Sequence, residues 1–170
     1  MSITVGVVGL GLIGASFCKA YKAYSDATVY GWNRTQSTAE MAKMQGVIDD
    51  YLTEDNLAEC DLVILSLYPA ASIKWMEERK DKFKKDGLVI DACGTKRNIC
   101  EEGFRIAAEA GFEFVGCHPM AGTQFSGFEN SRTHMFKGAP MVIVPPAPAE
   151  AVALFIAPAF THPEWLSLKK

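Results

Sequence analysis

The sequence lacks the features of a membrane-spanning, secreted or nucleic-acid-binding chain. No apolar run approaches the roughly 20 residues that span a bilayer. The N-terminus enters an apolar strand without the basic region and cleavage site of a signal peptide. Lysine and arginine are scattered among acidic residues, with a formal net charge of −3, so no basic stripe indicates a nucleic-acid partner. These absences predict a cytoplasmic protein without nucleic-acid or membrane partners.

Cysteine occurs without the spacing that disulfide frameworks or metal sites require. The five cysteines form no C-x-x-C pair and are odd in number, so they predict free thiols. The three histidines add no close pair to them, and no metal site is expected. The cysteines lie at positions 18, 60, 93, 100 and 117.

The chain does contain apolar, β-rich runs that alternate with segments of helical period. This alternation is typical of βαβ units, and it predicts an α/β fold with a doubly wound parallel sheet. At 170 residues, 49% of them hydrophobic, the chain has the size of one domain. Strands are predicted at Thr4–Gly9, Thr28–Trp32, Leu62–Leu67, Leu88–Ala92, Phe112–Cys117 and Met141–Val144, and helices near residues 12–24, 37–45, 72–84 and 97–110.

Two segments fall outside this alternation. From Thr123 to Lys137 the chain is polar and has no clear period, which predicts a loop over the mouth of a pocket. The cluster Pro145-Pro146-Ala147-Pro148 then interrupts the chain. We therefore predict a domain over residues 1–146 and a short C-terminal tail over residues 147–170.

A glycine motif lies between the first predicted strand and the first predicted helix. Gly9-Leu10-Gly11-Leu12-Ile13-Gly14 has the spacing of a dinucleotide-binding turn. Gly9 permits the tight turn, Gly11 lets the backbone approach a pyrophosphate, and Gly14 lets helix and strand pack closely. The predicted helix begins at Leu12, and the unpaired N–H groups of its first residues, Leu12 and Ile13, can bind the anion. The motif predicts a Rossmann-like dinucleotide-binding domain; a glycine turn that packs and binds nothing is the alternative.

The end of the second predicted strand indicates which dinucleotide binds. An acid there would hydrogen-bond the ribose 2′-hydroxyl of NAD and repel a 2′-phosphate. This chain has Asn33 at that place, followed by Arg34 and Thr35. Because an arginine can hold a phosphate through several N–H donors, the segment favours NADP, with NAD possible. The alternative is that Arg34 is only a solvated residue at a helix start.

Other unusual residues follow later strands, at the edge of the sheet where ligands bind in doubly wound folds. Ser66-Leu67-Tyr68 lie at the end of the predicted strand Leu62–Leu67, Gly94 follows the predicted strand Leu88–Ala92, and all four are candidate cofactor-binding residues. Lys96 comes shortly after Gly94. It either steers an anionic substrate or is simply solvated.

His118 directly follows the predicted strand Phe112–Cys117, in a segment that contains proline and glycines. A histidine titrates near neutral pH when unperturbed, so it can take the proton of a substrate hydroxyl while a hydride leaves the carbon that bears this hydroxyl. This position favours a general base over a structural histidine. With the glycine turn, His118 predicts a dehydrogenase that acts on a small molecule.

Four segments resemble the prephenate/arogenate dehydrogenase family of tyrosine biosynthesis: GLGLIG, DACGTK, GCHPMAGTQFSGFENS and FKGAPMVIVPP. The resemblance covers the chain from Ile3 to about Val144. It implies oxidative decarboxylation of prephenate or arogenate, in which His118 polarises the ring hydroxyl and hydride passes to the nicotinamide. Together with Arg34, it predicts an NADP-dependent enzyme. It also implies that Thr123 and Gln124 line the substrate pocket, and Thr95 is a further candidate substrate-binding residue.

The chain departs from this family at three points. The family often has serine at Gly94, for which Thr95 or Cys93 is the candidate substitute, and glutamate at Gln124. Members of the family also continue into a helical dimerisation domain, which we expect this chain to lack. The resemblance leaves two alternatives: an enzyme that acts alone or as a homodimer, or a catalytically incomplete or regulatory NADP-binding module that needs a separate helical partner.

Overall fold

A computed structural model describes residues 2–146 of the chain; the predicted tail at 147–170 lies outside the described residues. The strands are β1 Thr4–Val8, β2 Thr28–Trp32, β3 Asp50–Tyr51, β4 Leu62–Leu65, β5 Leu88–Asp91, β6 Glu113–Pro119 and β7 Met141–Val144. The helices are α1 Leu12–Tyr24, α2 Gln36–Met44, α3 Pro69–Glu78 and α4 Arg97–Ala110. Short 3₁₀ turns occur at Leu57–Glu59, Lys80–Lys82 and Phe128–Asn130.

These strands form one sheet in the order β3-β2-β1-β4-β5-β6-β7. Neighbours from β3 to β6 are parallel, whereas β7 is antiparallel to β6. The α/β, doubly wound fold is thus confirmed, with one correction: the last strand runs against the others. The strand β3 is absent from the predicted strands, since its two residues are exposed and have no apolar alternation.

Two apolar cores, one on each face of the sheet, hold this arrangement together. Alternate residues of β1 and β4 point to opposite faces, so Val7 and Ile64 pack with α1, while Val8 and Leu65 pack with α3 and α4. Burial on both faces accounts for the near-continuous apolar runs from which these strands were predicted. Within residues 2–146, no helix has the length and apolar character to span a bilayer.

The segment after β6 is only partly the loop that its polarity predicts. Residues 122–126 are exposed, but the following residues pack against α1. Phe136 is fully buried and stacks on Phe17, with ring centroids 4.2 Å apart. The Arg132 N–H donates to Ser16 Oγ at 2.9 Å, and Lys19 Nζ donates to a carbonyl of the same segment. The segment therefore connects the His118 strand to the helix of the glycine turn.

Candidate functional site

The glycine turn is tight on one side and open on the other. A β-carbon built on Gly14 would lie 1.9 Å from the Gly9 carbonyl oxygen, and Gly9 itself has φ +96°. A β-carbon on Gly11 would meet no atom of the described residues within 4 Å. Gly9 and Gly14 thus close the turn, and Gly11 leaves its outer surface free for a close ligand.

The N-terminus of α1 fits an anion. Gly11 is the N-cap, the first turn contains no acid, and no side chain from residues 2–146 caps it. The first helical hydrogen bond runs from the Ala15 N–H to the Gly11 carbonyl, so the N–H groups of Leu12, Ile13 and Gly14 precede the helical ladder.

A buried polar atom beside the turn also fits a polar ligand. Ser66 Cβ would lie 3.1 Å from a β-carbon on Gly14. The Ser66 hydroxyl is buried and has no hydrogen-bond partner among the described residues. Since buried hydroxyls nearly always have a partner, this atom is suited to a hydrogen bond with a bound molecule. The open turn, the uncapped helix and this hydroxyl all suit a dinucleotide.

Asn33 braces the turn through both of its polar side-chain atoms. Its Oδ1 accepts from the Leu10 N–H at 3.0 Å, and its Nδ2 donates to the Thr35 carbonyl at 3.1 Å. The adjacent Arg34 is exposed, and within residues 2–146 its side chain makes no ion pair or hydrogen bond. Asn33 therefore shapes the turn, and Arg34 is available to a ligand.

The residues after β4 lie beside the glycine turn. A Leu67 methyl would be 2.7 Å from a β-carbon on Gly9. Tyr68 is 87% exposed as the N-cap of α3. The predicted cofactor-binding residues after β1, β2 and β4 thus surround one end of the sheet.

His118 lies inside β6 rather than after it, because β7 pairs with this stretch and extends the strand to Pro119. Its ring is half-buried. The Nδ1 atom is buried without a partner among residues 2–146, which leaves Nε2 as the solvent-accessible ring nitrogen. A β-carbon on Gly94 would lie 3.7 Å from Cε1 and 4.0 Å from Nε2. The structure thus brings Gly94 and His118 together.

Lys96 contacts the protein itself. Its ammonium is hydrogen-bonded to Asp91 and donates to the Cys117 carbonyl at 2.6 Å. Asp91 is fully buried and also accepts from the N–H groups of Cys93 and Cys117. Asp91 is not among the predicted site residues, although a single acid in the apolar strand Leu88–Asp91 is a signal of such a role.

The remaining predicted substrate residues are exposed. Thr95 lies between Gly94 and Lys96, and Gln124 lies in the exposed part of the segment after β6. The Thr123 hydroxyl forms a local turn, since it donates to the Phe125 carbonyl at 2.9 Å and accepts from the Phe125 N–H at 3.2 Å. Within residues 2–146, neither Thr123 nor Gln124 forms a hydrogen bond with His118.

The cysteines near this site are poor nucleophiles. All five cysteines are free, as predicted, and all five are buried. Burial raises the pKa of the Cys93 and Cys117 thiols to about 12, and the charge of Asp91 acts in the same direction. Both thiols therefore stay protonated at neutral pH. Among the described residues, no group of three or more histidines, cysteines or acids could hold a metal ion.

Residues 17–161 match the family model of the prephenate dehydrogenase nucleotide-binding domain. The chain belongs to the prephenate dehydrogenase family. The match begins within α1, after Gly14, so the family assignment is independent of the glycine turn.

Curated relatives in the prephenate dehydrogenase family are longer than this chain. The prephenate dehydrogenase of Lactococcus lactis is 30% identical over 140 residues, which are 81% of this chain and 39% of the relative. The cyclohexadienyl dehydrogenase of Zymomonas mobilis is 28% identical over 154 residues, or 88% of this chain and 52% of the relative. The chain thus spans about half or less of these relatives.

Solved structures of the prephenate dehydrogenase family have the same fold. Synechocystis arogenate dehydrogenase superposes with a TM-score of 0.83 at 26% identity, covering 92% of this chain and 55% of the other. Prephenate dehydrogenase from A. aeolicus, in complex with hydroxyphenyl propionate and NAD+, gives a TM-score of 0.74 at 25% identity with the same coverage.

Proposed function

We propose that this chain is the cofactor-binding part of an NADP-linked dehydrogenase that oxidatively decarboxylates prephenate or arogenate. The observation that supports this most directly is the accessible Nε2 of His118 at the end of β6, on a sheet whose first strand ends in an open glycine turn. Ligands of doubly wound sheets bind at this edge, so a substrate held by His118 would lie beside the dinucleotide.

In this proposal the chain's residues bind, orient and move one proton. The N–H groups of Leu12, Ile13 and Gly14 hold the pyrophosphate, and Arg34 holds the 2′-phosphate. The bound nicotinamide supplies the hydride acceptor. His118 Nε2 takes the proton of the ring hydroxyl as the hydride leaves the ring carbon that bears this hydroxyl. The ring carboxylate then leaves as carbon dioxide, its bonding electrons enter the ring, and the ring oxygen regains the proton to give a phenol.

The other predicted residues contact the ligands. Ser66, Leu67, Tyr68 and Gly94 line the cofactor, while Thr95, Thr123 and Gln124 line the substrate pocket. For Lys96 the hydrogen bonds to Asp91 and Cys117 leave one of its three donors for a substrate anion.

The test of this function is NADPH formation with prephenate and with arogenate, measured for the native chain and for His118→Asn. We expect turnover with at least one substrate, and a loss of about 100-fold or more in the variant. Cofactor binding should be equal in the two proteins. Equal turnover in the two proteins would remove His118 from the reaction.

NADP preference is tested at Arg34. Arg34→Ala should weaken NADP binding by about tenfold, since a charge-assisted hydrogen bond to the phosphate is lost, and should leave NAD binding unchanged. Arg132→Ala removes an exposed arginine after β6 and is the matched control. Equal loss for NADP and NAD would contradict a 2′-phosphate contact.

A non-catalytic NADP-binding module is the second candidate function. It is supported by the exposed positions of Thr123 and Gln124, which within residues 2–146 form no hydrogen bond with His118. In this case the chain binds NADP but forms no NADPH with either substrate, until a separate helical partner is added.

A further inference from the structure

The backbone pairing between β5 and β6 ends before the strand reaches His118. Parallel pairing joins Leu88 with Glu113 through Ile90 with Val115. Beyond that point, two side chains contact β6 in place of the neighbouring strand. Asp91 Oδ1 accepts from the Cys117 N–H at 3.0 Å, and Lys96 Nζ donates to the Cys117 carbonyl at 2.6 Å.

We propose that Asp91 and Lys96 are positioning residues for His118. The Cys117 carbonyl belongs to the same peptide unit as the His118 N–H, so the ion pair fixes that peptide from the β5 side. On the other side, His118 pairs with Val142 of β7. The imidazole is thus attached to a stretch of strand held between a buried ion pair and an edge strand. This inference rests on the proposed function for His118 and adds to it two side chains that act on the imidazole through the backbone of β6.

Burial restricts the positions that the Asp91 and Lys96 side chains can take. The Asp91 side chain is fully buried, and that of Lys96 is 17% exposed. The carboxylate also accepts from the Cys93 N–H at 2.9 Å, which ties it to the turn that leads into α4. Buried charges must keep their partners, because an unpaired charge in the interior is strongly unfavourable. The pair therefore links the ends of β5 and β6 to the start of α4.

A similar pair at the opposite edge of the sheet provides a control. Asp61 accepts from the Thr4 N–H at 2.9 Å and forms an ion pair with Lys84, at the amino ends of β1 and β4. These side chains are 29% and 43% exposed. The two pairs use the same chemistry, but among the described residues only the Asp91 pair contacts the His118 strand.

The decisive variant is Asp91→Leu/Lys96→Met, compared with each single substitution and with Asp61→Leu/Lys84→Met. Each single Asp91 or Lys96 variant leaves a buried charge without its partner, whereas the double variant removes both charges. We expect the thermal midpoint of the double variant to exceed those of both single variants. The thermal midpoint then reports stability, and a separate measurement reports the position of His118.

The position of the His118 imidazole is measured from its NMR resonances in protein labelled with ¹³C,¹⁵N-histidine. The His118→Asn variant assigns these resonances, because they are missing from its spectrum. We expect these resonances to move in Asp91→Leu/Lys96→Met and to stay at their native shifts in the Asp61 control. Where the native chain turns over, kcat of the double variant should fall by about 100-fold.

Native His118 resonances in the Asp91 double variant would overturn the proposal, as would an equal displacement in the Asp61 control. A native chain that forms no NADPH contradicts the proposed function instead. The resonances still decide the positioning role in that case, since they need no turnover.

Discussion

Gly14 and Gly11 differ in the space around them, and this difference separates folding from binding. At Gly14 a methyl group would overlap the Gly9 carbonyl, so Gly14→Ala should lower the unfolding free energy by about 1–3 kcal/mol and abolish NADP binding. At Gly11 the methyl group meets no described atom and the backbone is extended, with φ −83°. Gly11→Ala should therefore keep the native thermal midpoint.

NADP titration distinguishes the two variants further. In Gly11→Ala the methyl group occupies the surface where the pyrophosphate approaches, so we expect at least about tenfold weaker binding in a stably folded protein. Native NADP affinity in Gly11→Ala would show that the dinucleotide does not pass over this residue.

Gly94 is the position from which a side chain would reach the His118 ring. A β-carbon there has room, at 3.7 Å from Cε1, and the Gly94 backbone is not among those with positive φ. We expect Gly94→Ser to raise kcat by about tenfold, because its hydroxyl adds one hydrogen bond beside Nε2. Gly94→Ala adds the same carbon without the hydroxyl and is the matched control. Identical kcat values for the two variants would assign no role to the hydroxyl.

The contact between α4 and β6 reverses the usual effect of alanine in a helix. Gly103 faces Phe114, and a β-carbon on Gly103 would lie 2.5 Å from the ring. Alanine normally stabilises a helix by about 1 kcal/mol relative to glycine. Here we expect Gly103→Ala to lower the unfolding free energy by about 1–3 kcal/mol, measured by urea denaturation.

Phe114→Leu provides the control for this contact. It should be destabilising alone, but its combination with Gly103→Ala should cost less than the sum of the two, since the smaller side chain makes room for the methyl group. A Gly103→Ala chain as stable as the native one would mean that α4 shifts freely over the sheet.

The bounds of helices and strands with a strong apolar period were predicted well, whereas features that depend on pairing between strands were not. The helices α1 and α4 begin where the sequence analysis placed them, as do the strands β1, β2, β4, β5 and β7. The helix α3 was predicted near residues 72–84, whereas it begins at Pro69 and ends at Glu78. The direction of β7 and the extension of β6 to Pro119 depend on their mutual pairing, which periodicity does not report.

The same distinction applies to the site. The glycine turn was found because its residues are contiguous and their chemistry is local. The hydrogen bond of Asn33 to Leu10 spans 23 positions, and that of Asp91 to Cys117 spans 26. Such roles depend on which strands are neighbours in the sheet, so one sequence could indicate the residues but not their partners.

Burial of all five cysteines predicts a chain with unreactive thiols in its folded state. Desolvation raises the pKa of Cys60, Cys93 and Cys117 to about 12, and it raises those of Cys18 and Cys100 as well. At neutral pH, mass spectrometry after brief iodoacetamide treatment should find almost no alkylation of the native chain. In denaturant all five thiols should react. Rapid alkylation of Cys93 in the native chain would reveal local opening beside the site.

The central place of β1 in the sheet has a consequence for synthesis on the ribosome. β1 is made first, yet its second neighbour, β4, begins only at Leu62. A nascent chain that extends through β4 already holds both strands that flank the glycine turn, whereas β6, with His118, is translated later. Domains can fold as they emerge. The nucleotide half can thus assemble first, with the open edge of β4 exposed to chaperones until β5 arrives.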